Sequence, residues 1–243
     1  MLPIGDRNPT RTTPFVNYAL LAVNAAVFVG QALVMYGGGE AWLVPGYGLV
    51  PTRVMNDPAG EAFTFLTSMF MHGSWLHLGG NMLFLYIFGD NVEDAVGHVR
   101  YLFFYLACGF WAGVAQIVTD TASTIPMVGA SGAIAGVLGA YMVLFPRAPI
   151  TVLNPPPLWF LGFFIVLPAW VVVGLWFLFN LLSGVSTLGG IGGGGVAFFA
   201  HLGGFVAGLL LVRPFHAGRP RLLRDPWQGW RPPVRSSSVG RWS

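Results

Sequence analysis

The stretch from Val128 to Tyr141 reads VGASGAIAGVLGAY: no charge, one hydroxyl at Ser131, and glycines at positions 129, 132, 136 and 139. Small residues four apart (Gly132, Gly136, Ala140) let two membrane helices bring their backbones together. Glycines on either side of a lone serine also clear the way for another peptide backbone to reach its hydroxyl. One use is packing and the other is catalysis. Residues elsewhere in the chain decide between them.

The 243 residues are 55% hydrophobic and 9% charged, whereas a soluble domain is roughly 25% charged. With a mean hydropathy of +0.67, this composition points to an integral membrane protein. All twelve basic residues are arginine. The single cysteine, Cys108, excludes an internal disulfide and a Cys-rich metal site. The first apolar run, Phe15 to Tyr36, is 22 residues long. It suits a spanning helix better than the apolar core of a signal peptide, which is about 7–15 residues.

A spanning helix needs about 20 apolar residues, and six stretches qualify: 15–36, 73–92, 99–118, 128–145, 158–182 and 196–213. The expected fold is therefore all-α, a polytopic membrane bundle of six helices. Pro168 falls inside the fifth span and should kink it or mark its start. Six spans place both termini on one side. Arg7, Arg11, Arg100 and Arg147 fall on that side with the seven arginines from Arg213 onward, and only Arg53 falls on the other. The positive-inside rule then makes both termini cytoplasmic. Three parts follow: a cytoplasmic segment 1–14, a membrane domain 15–213, and a basic tail 214–243 expected to be disordered, either simply solvated or touching anionic lipid. The largest external loop is 37–72, and the glycine-rich loop 183–195 is expected to be mobile.

Polar groups inside spans are costly and mark functional sites by default. His77 and Asn81 lie four apart near the start of the second span and so share a helix face. His201 lies one turn before Gly204, and Gly204 and Gly208 form a small-residue face suited to close approach of the fourth span. By the topology above, Ser131 and His201 both begin their spans at the external side, at similar depth. A serine needs a base within hydrogen-bond reach to become a nucleophile. His201 can take its proton and return it to a leaving amine. An oxyanion needs donors, which His77, Asn81 and the Ser131 N–H can supply. Packing remains the competing role for Ser131, and interhelical hydrogen bonding for the other three. No acid is placed to complete a triad, since Asp120 falls in a loop, so a Ser–His dyad is expected.

These residues resemble the rhomboid intramembrane serine proteases. The motifs are HxxxN at His77–Asn81, GxSG at Gly129–Gly132 and AHxxG at Ala200–Gly204, and the likeness runs over nearly the whole chain. The resemblance implies that Ser131 is the nucleophile, His201 its base, and His77 and Asn81 part of the oxyanion hole. It also implies a six-helix core with cytoplasmic termini and no metal or organic cofactor. His72 matches a family histidine near the active site, expected to be structural or water-organising. Glu93 matches a family acid, which implies that it ties the cytoplasmic loop together, with Arg100 as a candidate partner; an ordinary solvated carboxylate is the alternative. The Trp-Arg pair common in the family's first loop reads Phe63 and Thr64 here, which puts the stability of that loop in question.

The expected partners are transmembrane protein substrates and the lipid bilayer, with no nucleic acid and no metal. A substrate helix must unwind before it is cut. It is expected to pass the fifth span, where Trp170 and Trp176 are candidate gating residues. The resemblance suggests a bacterial inner membrane. The alternatives are a catalytically silent rhomboid-like protein that binds membrane clients, which generally lacks the Ser or the His, and a small transporter or channel. The latter calls for polar groups along a path through the bilayer, whereas here most of them gather near one face.

Overall fold

In the computed structural model, which describes residues 2–38, 40–188 and 198–218, the chain opens with a short strand, β1 (Leu2–Asp6), and a long helix, α1 (Phe15–Tyr36). Three short helices follow, α2 (Glu40–Tyr47), α3 (Pro51–Asn56) and α4 (Thr64–Thr67), then the long helices α5 (Trp75–Val96), α6 (His98–Thr119) and α7 (Ser131–Leu144). Strands β2 (Pro149–Leu153) and β3 (Phe164–Pro168) precede the last two helices, α8 (Ala169–Leu188) and α9 (Phe198–His216). The molecule is a helical membrane bundle.

Among the described residues, four helices are long and apolar enough to cross a membrane by themselves: α1, α6, α8 and α9. The other two expected spans are also helices, each with a reason to differ. Helix α5 ends in the acidic group Asp90, Glu93 and Asp94. Helix α7 has 14 residues, or about 21 Å at 1.5 Å per residue, against a hydrocarbon core of about 30 Å. It packs against α5, α6, α8 and α9, and every residue from Gly132 to Tyr141 is buried. A helix wrapped in protein need not match the thickness of lipid. The fifth expected span, 158–182, starts later than its hydropathy indicates, because residues 156–168 form a 3-10 turn and strand β3.

Glycines set the central packing, and the small-residue face of α9 does lie on α7. A Cβ at Gly204 would collide with the carbonyl of Gly132, and one at Gly208 with that of Gly136. Helix α6 closes the third side: a Cβ at Gly132 would stand 2.6 Å from the Ala112 Cβ. Backbones this close exclude any larger residue at the contact.

The small sheet is the element that composition concealed. Strand β2 lies in the middle, antiparallel to β1 and β3, with Ile150 opposite Asp6 on one side and Leu167 on the other. The N-terminal segment is thereby fastened to the α7–α8 connection. Tyr141 adds to this by donating its hydroxyl to Asp6 at 2.6 Å. Burial pushes the Asp6 carboxyl up to about 6, against the lowering effect of that hydroxyl.

Glu93, wholly buried, accepts the N–H of Val16 at 3.0 Å and of Asn17 at 2.6 Å. Its carboxylate thus caps the unsatisfied first turn of α1 from a neighbouring helix. Its side-chain partner is His98 at 2.5 Å, not Arg100. Arg100 instead donates to the carbonyls of Phe215 and Ala217 at 3.2 and 2.7 Å. Asp94 holds Arg11 and Thr12 beside it.

The loop at the opposite end has its own ties in place of the missing Trp-Arg pair. Arg53 donates to Glu61 from Nε at 2.9 Å and to the carbonyl of Pro45. The basic tail from residue 219, and residues 189–197 of the glycine-rich connection, lie outside the described residues.

Candidate active site

Ser131 owes its position to the loop in front of it. Leu49 and Met127 exchange backbone hydrogen bonds at 3.0 and 2.8 Å, and the Gly129 N–H donates to the Ser68 carbonyl at 2.8 Å. The segment before Ser131 is thus pinned to the loop that follows α1. Gly129 then turns the chain at φ +127°, a conformation L-residues with side chains rarely adopt. Helix α7 begins at Ser131 itself, so the Ser131 N–H belongs to the first turn, whose donors have no partner within the helix.

His201, in the first turn of α9, meets Ser131: Nε2 stands 2.8 Å from the serine Oγ. Its other ring nitrogen, Nδ1, is 2.6 Å from Oδ1 of Asn180 on α8. The Asn180 amide nitrogen donates to the Trp176 carbonyl at 2.8 Å, so its oxygen is the atom left to face the histidine. The Trp176 ring packs over His201 with centroids 5.8 Å apart. The arrangement suits a neutral ring with its proton on Nδ1 and a lone pair on Nε2 toward Ser131.

Ser74 caps α5 by accepting the His77 N–H at 3.1 Å, which fixes where the HxxxN face points. The Gly73 N–H donates to His77 Nδ1 at 3.4 Å. That contact favours the tautomer with its proton on Nε2, and Nε2 is the atom nearest Gly129, 2.7 Å from where a Cβ there would stand. Asn81 is buried, and its amide Nδ2 has no hydrogen-bond partner. An unpaired buried donor is costly, so one at the edge of a cavity is a feature to be explained by what binds there. His72 is buried, with its ring edge-on to His77 at 5.1 Å. Its backbone is clasped by Gln31, whose Nε2 donates to the His72 carbonyl at 2.7 Å.

All four residues expected from the sequence, Ser131, His201, His77 and Asn81, line one cavity of about 370 Å³. Trp176 lines it too. Trp170 does not: it sits in the first turn of α8, its N–H bonded to the Pro146 carbonyl at the sheet end of the bundle, because that helix starts only at Ala169. A second cavity of about 300 Å³ opens between α5 and α8, and Phe84 and Trp176 belong to both. Among the described residues, no group of three His, Cys, Asp or Glu side chains is placed to hold a metal.

Asn180 was not expected. Its signal lay in the sequence as a polar side chain within an apolar span, four residues after Trp176. It carries no charge, and it lies near the external end of the fifth expected span, beside the other polar groups.

Comparison with known proteins gives one consistent result. The Rhomboid domain family matches residues 59–217. "Rhomboid protein 1, mitochondrial" of Saccharomyces cerevisiae is 28% identical over 201 residues, 79% of this chain and 51% of the yeast protein. "Rhomboid protease GluP" of Bacillus subtilis is 34% identical over 125 residues, 51% of this chain and 22% of its own length. "Rhomboid-type serine protease 2" of Emericella nidulans is 29% identical over 171 residues, 68% of this chain and 30% of its own. The chain thus spans about half the length, or less, of these relatives. They come from a bacterium and from eukaryotes, one of them mitochondrial, so the expected bacterial inner membrane is not supported; what stands is an integral membrane protein.

Proposed function

The chain belongs to the rhomboid family, and we propose that it is an intramembrane serine endopeptidase acting on transmembrane segments of other proteins. The observation that carries this is the 2.8 Å contact between Ser131 Oγ and His201 Nε2, made beside the unpartnered buried donor of Asn81. As His201 Nε2 takes the serine proton, Oγ attacks the scissile carbonyl carbon. The oxygen gains negative charge and is met by the Asn81 amide, the His77 Nε2–H and the Ser131 N–H. His201 then hands its proton to the leaving nitrogen, the C–N bond breaks, and an acyl-serine remains. Water, deprotonated by the same Nε2, then attacks the acyl carbon; the C–Oγ bond breaks, His201 returns the proton to the Ser131 Oγ, and the second product leaves as an acid. No step calls for a metal or an organic cofactor.

A substrate in lipid reaches this site sideways, between α5 and α8, along the cavity that Phe84 and Trp176 share with the serine. Its backbone must already be unwound there, since helical carbonyls are hydrogen-bonded and shielded. Six spans and cytoplasmic termini, with the site near the external face, complete the proposal. Incubating wild type and Ser131→Ala with a membrane proteome and comparing new protein ends tests it. Cleavages within or beside apolar segments, present only with wild type, are expected. Identical ends in both samples would rule the activity out.

A further inference from the structure

His201 presents two nitrogens, and only Nε2 is needed to take a proton from Ser131. For Nε2 to serve, the neutral ring must carry its proton on Nδ1. We propose that Asn180 is the positioning residue that secures this tautomer and ties the competence of the base to the seat of helix α8.

Three features support the assignment. Asn180 is 4% exposed, so its amide has no water to turn to. Its nitrogen is committed to the Trp176 carbonyl at 2.8 Å, and flipping the amide would set oxygen against oxygen there. The oxygen is therefore fixed toward His201 Nδ1, 2.6 Å away, where it accepts an N–H and repels a lone pair. Asn180 and Trp176 also lie four apart on one face of α8. The acceptor and the ring packed over His201 thus arrive on the same helix, so the placement of α8 sets both the tautomer and the plane of the imidazole.

The chemistry suits the location. When His201 becomes positively charged, the amide oxygen strengthens its bond to Nδ1–H without a second ionised group being carried into an apolar region. A carboxylate there would carry a heavy desolvation cost. The neutral amide orients and stabilises with no such cost.

The proposal rests on His201 being the base, and the test separates the two. Asn180→Leu keeps the side-chain shape and removes the acceptor. In purified protein acting on a transmembrane substrate, kcat is expected to fall about 10- to 100-fold, the worth of a buried hydrogen bond to a group that becomes charged. KM should stay within about twofold, since no binding contact is lost. Wild-type kcat in Asn180→Leu, with Ser131→Ala inert, overturns the role of Asn180 alone; proteolysis by Ser131→Ala overturns the catalytic reading itself. A second measurement needs no Asn180 variant. In protein labelled with 15N-histidine, the His201 resonances, assigned by their loss in His201→Ala, should show the proton on Nδ1 and a bare Nε2. A proton on Nε2 in the resting wild type overturns the proposal.

Discussion

Gly129→Ala adds one carbon to the site and should damage activity far more than its size suggests. The backbone at Gly129 has φ +127°, where a side chain costs about 1–3 kcal/mol of strain. The new Cβ would stand 2.7 Å from His77 Nε2 and 2.8 Å from Cε1. Ordinary contact is about 3.5 Å, so the imidazole must recede by roughly 0.8 Å. Displacing a reacting or stabilising group by about 1 Å can cost 10²-fold, and losing one oxyanion donor about 10²- to 10³-fold. Turnover of a transmembrane substrate by the purified variant should therefore fall about 10²-fold, with a Tm several degrees lower. Gly79→Ala is the matched control. A Cβ there meets nothing within 4 Å, and in a helix the change stabilises by roughly 0.5–1 kcal/mol. If Gly129→Ala matched Gly79→Ala in both turnover and Tm, the close approach of His77 to the GxSG turn would be refuted.

Glu93→Ala leaves the Val16 and Asn17 N–H groups without their carboxylate, at about 1–3 kcal/mol each; thermal unfolding in detergent should show a large drop, and one within noise would contradict the cap. Arg100→Ala, which removes bonds on an exposed surface, should cost far less. Asp6 has a folded-state pKa of about 6, raised from 3.8 by burial. Its contribution to stability is therefore greatest below pH 4 and is lost as pH rises through 6. The Tm advantage of Asp6→Asn over wild type should grow across that window, and a constant difference would contradict the shift. Trp176→Ala should lower turnover by exposing His201 and altering the cleft, whereas Trp170→Ala, at the sheet end, should not; equal effects would remove any special role for Trp176.

Much of the candidate site's geometry was legible because shared helix faces and close packing restrict residue choice. The HxxxN spacing put His77 and Asn81 on one face. The glycines of α7 and α9 marked a backbone contact that no larger residue could make. The sheet was not legible, because an apolar strand such as Phe164–Pro168 has the same hydropathy as a buried helix, and the window from 158 to 182 merged the two. The proline at 168 was the true boundary. Glu93 meets His98 rather than Arg100, and the N–H groups it caps belong to α1, far along the chain, where no local spacing reveals them. Asn180 escaped notice because a neutral amide in a span carries no pattern of its own. Its meaning depends on a histidine 21 residues away.

The central claim is that Ser131 is a nucleophile activated by His201. Reaction of the purified protein with a fluorophosphonate, followed by peptide mass analysis, measures it directly. The account predicts a single adduct on Ser131, absent in Ser131→Ala and lost in a folded His201→Ala. Undiminished labelling of Ser131 in His201→Ala, or a folded wild type that takes up no label, would contradict it.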